Sequence, residues 1–173
     1  MVDKTLIDTS ILLEPFTIFE KRNKNYKIKA LSILKYPKGV NIQPVISLSV
    51  LGEIELIINK KVNIIQGEEK RNFMKDVLRE FFKNCIFIGL DKKAIDLASE
   101  IINKDKYLDP LDVIHFTSAI SGNCDAFLLM DDKLSESRVI KEIAKNHNLK
   151  LSQFNKPINE DKGRIDRDIT WIQ

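Results

Sequence analysis

Short apolar runs alternate along this chain with longer segments whose apolar residues recur every three or four positions. Short apolar runs between polar residues are typical of buried strands, and the longer spacing is typical of helices packed on one face. The pattern predicts strands at 5–7, 45–46, 86–88 and 126–130, with an edge strand at 149–151.

Polar residues that favour helix N-caps stand before several of the helical segments. Asp109 in addition precedes Pro110, and proline is favoured at the first helical position. The predicted helices cover 9–13, about 18–36, 50–59 after Ser47 or Ser49, 68–83, 94–103 after Asp91, 110–120, and a last one from Ser135 or Ser137 to 146.

Strands that alternate with helices predict an α/β fold, here a three-layer α/β/α sandwich with a mostly parallel central sheet. A chain of 173 residues suits a single domain of this kind. We assign residues 1–152 to the domain and 153–173 to a polar C-terminal tail. Trp171 and Ile172 in that tail are suited to docking on the domain or on a partner.

Composition excludes several classes of protein. No apolar run approaches the ~20 residues that a membrane span needs, and the N-terminus lacks the features of a signal peptide, so we expect a cytoplasmic protein. Cys85 and Cys124 have no zinc-ligand spacing and are expected to be reduced, half-buried thiols.

Basic residues are unevenly distributed, although the formal net charge is only +3. One cluster comprises Lys21, Arg22, Lys24, Lys27 and Lys29. Such a cluster suits a polyanionic substrate, and a solvated helix face is the alternative.

Four carboxylates adjoin apolar segments that should be buried: Asp8, Glu53, Asp112 and one member of the pair Asp131–Asp132. A carboxylate next to a buried segment is costly unless something neutralises it, and a divalent cation does so when several converge. Asp8 and Asp131–Asp132 follow strands, so they should lie at the carboxyl edge of the sheet, where ligands bind. The residues therefore indicate metal-dependent phosphodiester chemistry.

Each of these acids also has a structural alternative. Asp8 could cap the following short helix, although Thr9 and Ser10 can do so instead. Asp109 fits a helix N-cap, and Asp112 falls in the first helical turn, where the helix dipole favours negative charge. Asp131 and Asp132 are adjacent, so one should serve the pocket and the other the turn.

Glu53 shares a helix face with Val50, Leu56 and Ile57, which points it toward the core, while Glu55 has more polar neighbours. A surface glutamate is the alternative for position 53. His115 lies one helical turn after Asp112, and we interpret it as a packing or hydrogen-bonding residue rather than a base. Neither a Gly-rich phosphate loop nor a serine-hydrolase elbow is present.

Four sequence blocks occur in the order and spacing of a known family: LIDTSILL (6–13), SVLGEIE (49–55), LDPLDVIHFTSA (108–119) and AFLLMDDKL (126–134). Together they resemble the signature blocks of a PIN domain, most of all those of VapC-type ribonuclease toxins from prokaryotic toxin–antitoxin pairs. One position departs from the pattern, because Met130 stands where the family often has threonine or serine.

The resemblance implies a metal-dependent endoribonuclease in which Asp8, Glu53, Asp112 and Asp132 form the active site. It implies that Asp8, Asp112 and Asp132 hold Mg²⁺ or Mn²⁺. It also implies an RNA substrate, a protein antitoxin and a homodimer. The alternatives are a catalytically silent PIN-like module that binds RNA or protein, and a phosphohydrolase acting on small phosphate esters.

Overall fold

The computed structural model describes residues 3–16, 24–35, 42–130, 132–153 and 170–172, to which every structural statement below refers. The strands are β1 (Asp3–Ile7), β2 (Ile42–Ser47), β3 (Ile86–Ile88), β4 (Ala126–Leu129), β5 (Lys150–Gln153) and β6 (Thr170–Ile172). They form one sheet in the order β3-β2-β1-β4-β5-β6. The first five are parallel, and β6 runs antiparallel to β5.

Helices cover the sheet. They are α1 (Thr9–Leu13), α2 (Lys24–Lys35), α3 (Leu48–Ile57), α4 (Asn63–Phe82), α5 (Lys92–Lys104), α6 (Pro110–Ser121), α7 (Asp132–Glu136) and α8 (Arg138–Asn146). The predicted three-layer α/β/α sandwich with a mostly parallel sheet is confirmed.

The core lies on both faces of the central strands. Leu6 and Ile7 on β1 and Phe127 on β4 are fully buried, as expected for parallel strands that helices cover on both sides. Phe116 of α6 packs on Phe127 with ring centroids 6.3 Å apart. This contact fixes α6, which carries two of the candidate site residues, against the middle of the sheet.

The predicted gap between the helices at 50–59 and 68–83 was wrong at its start, because helical structure continues past residue 59, and correct at its end. A π-helical turn at Ile58–Val62 connects α3 directly to α4. Gly67 inside α4 has a φ of 82°, a backbone conformation that glycine adopts without steric cost. Regular helix resumes after that kink, which is where the apolar spacing placed its start.

The C-terminal elements agree with the prediction in part. Of the two serines predicted to begin the last helix, Ser137 stands at the N-cap position of α8, and Ser135 lies inside α7. The Ser137 hydroxyl donates to Asp105 Oδ2 over 2.8 Å and makes no capping hydrogen bond. The strand predicted as an edge, β5, has β6 beside it. Thr170–Ile172 of the tail therefore pair with the domain through their backbone.

Some predictions fall outside the described residues. The helix expected from about residue 18 is described only from Lys24, and Lys21, Arg22 and Asp131 lie outside the description. The side chains of Lys24, Lys27 and Lys29 lie outside it as well.

Two expectations from composition can be compared with the structure. Burial raises the pKa of Cys85 to about 12 and, as the largest effect, that of Cys124 to about 11, so both thiols stay protonated at neutral pH. They are free cysteines, as predicted, but only Cys85 is half-buried, because Cys124 is buried in the core. Within the described ranges, every helix is too short or too polar to cross a membrane.

We predict that Ser47→Ala lowers the free energy of unfolding by about 1 kcal/mol, because Ser47 caps the helix that carries Glu53. Its hydroxyl accepts the Val50 N–H over 3.2 Å in a buried setting. Ser99→Ala is the matched control, since the exposed Ser99 hydroxyl only donates back to Ile95 O within α5. Urea unfolding of both variants measures the difference, and an equal loss in the two would contradict the assigned cap.

Candidate metal centre

Asp8 lies at the carboxyl end of the central strand β1, where its side chain is almost completely buried. Its Oδ2 accepts the Ser10 N–H over 3.0 Å and also the Ser10 hydroxyl. Asp8 is thus the N-cap of α1, which was one of the alternatives that the sequence left open, and neither Thr9 nor Ser10 caps the helix in its place. The helix starts directly at Thr9, so Asp8 is the residue that retains extended backbone geometry.

The other oxygen of Asp8 is held from across the molecule. His115 Nδ1 lies 2.9 Å from Asp8 Oδ1, and both groups are buried. Because a carboxylate only accepts hydrogen bonds, Nδ1 carries the proton of this bond. The interpretation of His115 as a hydrogen-bonding residue is confirmed, and the structure identifies its partner.

Asp112 joins these two residues from the first turn of α6, as predicted. One ligand atom each of Asp8, Asp112 and His115 lies within 4.8 Å of the others. Asp112 is partly buried, while the other two are buried. The neighbouring Asp109 is the N-cap of α6, as predicted, and accepts the Leu111 N–H over 2.8 Å.

Glu53 approaches the same cluster from α3. Its Oε2 lies 3.7 Å from His115 Nε2, and its side chain is 21% exposed. Glu55 points away and pairs with Lys75 over 3.0 Å, so the predicted contrast between the two glutamates is correct. Leu56, which had been counted toward the core-facing side, is exposed.

Asp132 is the first residue of α7 and is exposed. It follows β4, which lies next to β1, and the Asp8 N–H donates to Leu128 O of β4 over 2.9 Å. Asp132 is therefore at the same edge of the sheet as Asp8. Asp131 lies outside the described residues.

Opposing effects set the charge of the buried pair. Burial raises the pKa of Asp8, but the hydrogen bond and charge of His115, with the two bonds from Ser10, hold it below its ordinary value of 3.8. Burial lowers the pKa of His115, but the bond and charge of Asp8 and the charges of Glu53 and Asp112 raise it above 6.5. Each partner thus favours the charged form of the other.

The donor atoms suit a hard divalent cation. Carboxylate oxygens are preferred by Mg²⁺ and Mn²⁺, and Mg²⁺ is bound by one or two carboxylates with waters in its remaining positions. Asp8 and Asp112 converge closely enough to share such an ion. The third convergent group, His115, already uses one nitrogen to hold Asp8.

Sequence reasoning missed two residues beside this cluster, Tyr107 and Lys133. Both line a cavity of about 400 Å³ together with Asp112. Their only sequence signal is position, because Tyr107 lies just before the block at 108–119 and Lys133 lies inside the block at 126–134.

Comparison with known families agrees with the geometry. The family model described as PIN domain matches residues 5–139, which is more than half of the chain. No curated protein matches the sequence significantly.

Solved structures share the fold at low sequence identity. VapBC2 from Rickettsia felis, bound to a DNA fragment from its promoter, is similar at 18% identity and a TM-score of 0.54, covering 87% of this chain and 98% of that one. VapC20 from Mycobacterium tuberculosis, described as a toxin that cleaves the sarcin–ricin loop, is similar at 15% identity and a TM-score of 0.55. The match covers 76% of this chain and 93% of that one. FitAcB from Neisseria gonorrhoeae is similar at 16% identity and a TM-score of 0.50, covering 73% of this chain and 87% of that one.

We predict that the Asp8–His115 pair makes stability depend on pH in metal-free protein. The pKa of Asp8 is lowered from 3.8 by folding, so Asp8 contributes to the free energy of unfolding above pH 3.8. This contribution is lost as the pH falls through the pKa of the folded state. The pKa of His115 is raised from 6.5 by folding, so its contribution to the free energy of unfolding is complete below pH 6.5. It is lost as the pH rises through the pKa of the folded state. The pair therefore stabilises most between these two pH values.

Urea unfolding of wild type and His115→Asn in EDTA checks this across pH 4 to 9, expressed as the difference in unfolding free energy. The difference should be largest below about pH 6.5 and shrink toward alkaline pH. His147→Asn, at the exposed second histidine of the chain, is the matched control and should keep the wild-type profile. A difference for His115→Asn that is constant over this range would contradict the assigned pair.

Proposed function

This chain belongs to the PIN domain family, and we propose on that premise that it is a metal-dependent endoribonuclease that cleaves RNA phosphodiester bonds as the toxin of a toxin–antitoxin pair. One observation carries the proposal: Asp8 and Asp112, more than 100 positions apart, bring ligand atoms within 4.8 Å of each other and of His115. Glu53 lies next to His115.

We assign Asp8, Asp112 and Asp132 as the residues that hold Mg²⁺ or Mn²⁺, with Glu53 completing the active site. When bound, such an ion lowers the pKa of a coordinated water and stabilises negative charge on the phosphate. The carboxylate-rich donor set fits these hard cations better than it fits a zinc site, which prefers cysteine and histidine.

The chain's own residues prepare this chemistry. Ser10 and His115 fix both oxygens of Asp8, so its orientation is set before a ligand arrives. Glu53 is partly exposed beside the buried cluster, and its carboxylate can orient or accept a proton from an attacking water. The apolar core under Asp8 keeps bulk water away from one side of the site.

Partners are proposed on the same basis. The similar structures include VapBC2 of Rickettsia felis, and we propose a protein antitoxin for this chain. We also propose a homodimer, for which exposed apolar residues such as Leu48 and Leu56 supply contact surface. We place its action in the cytoplasm, where its RNA substrate is found.

We predict that purified protein cleaves RNA in Mg²⁺ or Mn²⁺ and that Asp112→Asn lowers the cleavage rate by about 10²–10³-fold, because the variant loses a metal-binding charge. The matched control is Asp96→Asn, which removes an exposed carboxylate that pairs with Lys92 on α5. Gel analysis of a labelled RNA at fixed protein concentration measures both.

Equal cleavage by wild type and by the Asp8→Asn, Asp112→Asn double variant would reject the enzyme and leave a silent binding module. Turnover of a simple aryl phosphate ester in place of RNA would point to a small-molecule phosphohydrolase.

We predict that Mn²⁺ stabilises the wild type without any RNA present. An ion at 100 times its dissociation constant adds about 2.7 kcal/mol, which raises the melting temperature of a chain this size by about 5–10 °C. Asp8→Asn should abolish most of the rise, whereas Asp96→Asn should retain it. A rise that persists in Asp8→Asn would place the ion elsewhere.

A further inference from the structure

The cavity of about 400 Å³ beside the metal centre has a composition that the metal chemistry does not explain. Tyr107, Asp112 and Lys133 line it, together with Leu108, Asp109, Pro110 and Leu134. A volume of this size lies within the ~300–1,000 Å³ of small-ligand pockets. One aromatic ring and one ammonium group therefore share a compartment with a proposed metal ligand.

Tyr107 is the most exposed of the large hydrophobic residues in the described chain, at 93%. It nevertheless stands on a fixed loop between α5 and α6. Asp105 accepts the Tyr107 N–H over 3.3 Å and the Ser137 hydroxyl over 2.8 Å, and the next residue, Leu108, is buried. These contacts fix the backbone that carries the ring, and both faces of an exposed ring are open to a stacking partner.

Lys133 follows Asp132 on α7 and is exposed. Several other exposed lysines of the described chain pair with a carboxylate on their own helix, such as Lys83 with Glu80 and Lys104 with Glu100. None of the ion pairs found among the described residues involves Lys133. Its charge is thus available to an anionic ligand at the cavity.

We propose that this cavity is a nucleotide subsite that holds one unpaired nucleobase of the RNA substrate on the Tyr107 ring, with a neighbouring phosphate on Lys133. The inference rests on the proposed function and names the side chains that would bind the nucleotide beside the metal centre. A base inside a duplex cannot stack on a side chain, so the base on Tyr107 would come from a single strand.

Each group at the cavity suits one part of an RNA chain. The Tyr107 ring suits a base, the Lys133 ammonium suits a phosphate, and Asp112 would hold the ion at the scissile bond. Stacking is tolerant of sequence because every base has a π-face, and the lysine adds a phosphate contact without base specificity. The centre of a protein-docking site is depleted of charged residues, whereas three of the seven residues that line this cavity, Asp109, Asp112 and Lys133, are charged.

The test compares Tyr107→Ala and Tyr107→Phe in an Asp8→Asn background, which stops cleavage and leaves the cavity lining intact. Fluorescence anisotropy with a fluorescein-labelled single-stranded RNA octamer should show binding weakened about 5- to 150-fold by alanine and retained by phenylalanine. Phe73→Ala removes an exposed aromatic residue outside the cavity and is the matched control.

The salt dependence of RNA binding tests the lysine. In a plot of log affinity against log salt concentration, Lys133→Ala should make the negative slope shallower by about 0.7, while Lys83→Ala should leave it unchanged.

Cleavage by the otherwise wild-type protein completes the test, using the same octamer alone and annealed to its complement. Wild type should cleave the single strand faster, and Tyr107→Ala should reduce that difference. If wild type cleaves RNA and Tyr107→Ala binds and cleaves as wild type does, the subsite is wrong and the nuclease stands. If wild type binds RNA through Tyr107 without cleaving it, the subsite stands and the nuclease is wrong. Loss of binding to a protein partner in Tyr107→Ala, with RNA binding unchanged, would overturn the subsite.

Discussion

The hydrogen bond between Asp8 and His115 is the interaction on which the site depends. A buried carboxylate is costly unless donors surround it, and Asp8 receives them from Ser10 on one oxygen and from His115 on the other. The second bond joins residues 107 positions apart. It therefore ties the end of β1 to α6 and brings Asp112, one turn earlier on that helix, beside Asp8.

Parallel sheet topology explains why the acids meet. β1 is central, with β2 and β4 on either side, so residues that follow these strands meet at one edge. Helix α3 starts directly after β2 and carries Glu53, while α7 follows β4 and starts at Asp132. The same arrangement places the loop of Tyr107 and the start of α7 around one cavity, which Asp112 also lines.

Much of this was predictable from local patterns. Strand runs, the caps Ser47, Asp91 and Asp109, and the carboxylates next to apolar segments follow from propensities and burial costs that act over a few residues. The continuous path through Ile58–Val62 was not predictable, because tertiary packing decides whether a helix breaks or changes pitch. The partner of His115 and the cavity of Tyr107 and Lys133 depend on long-range contacts that no spacing reveals.

An anomalous difference map from crystals grown with Mn²⁺ locates the bound ion without relying on activity. We expect an anomalous peak about 2.0–2.1 Å from carboxylate oxygens of Asp8 and Asp112, with His115 still bonded to Asp8. Strong peaks only at other positions, with Asp8 and Asp112 holding no ion at millimolar Mn²⁺, would contradict it.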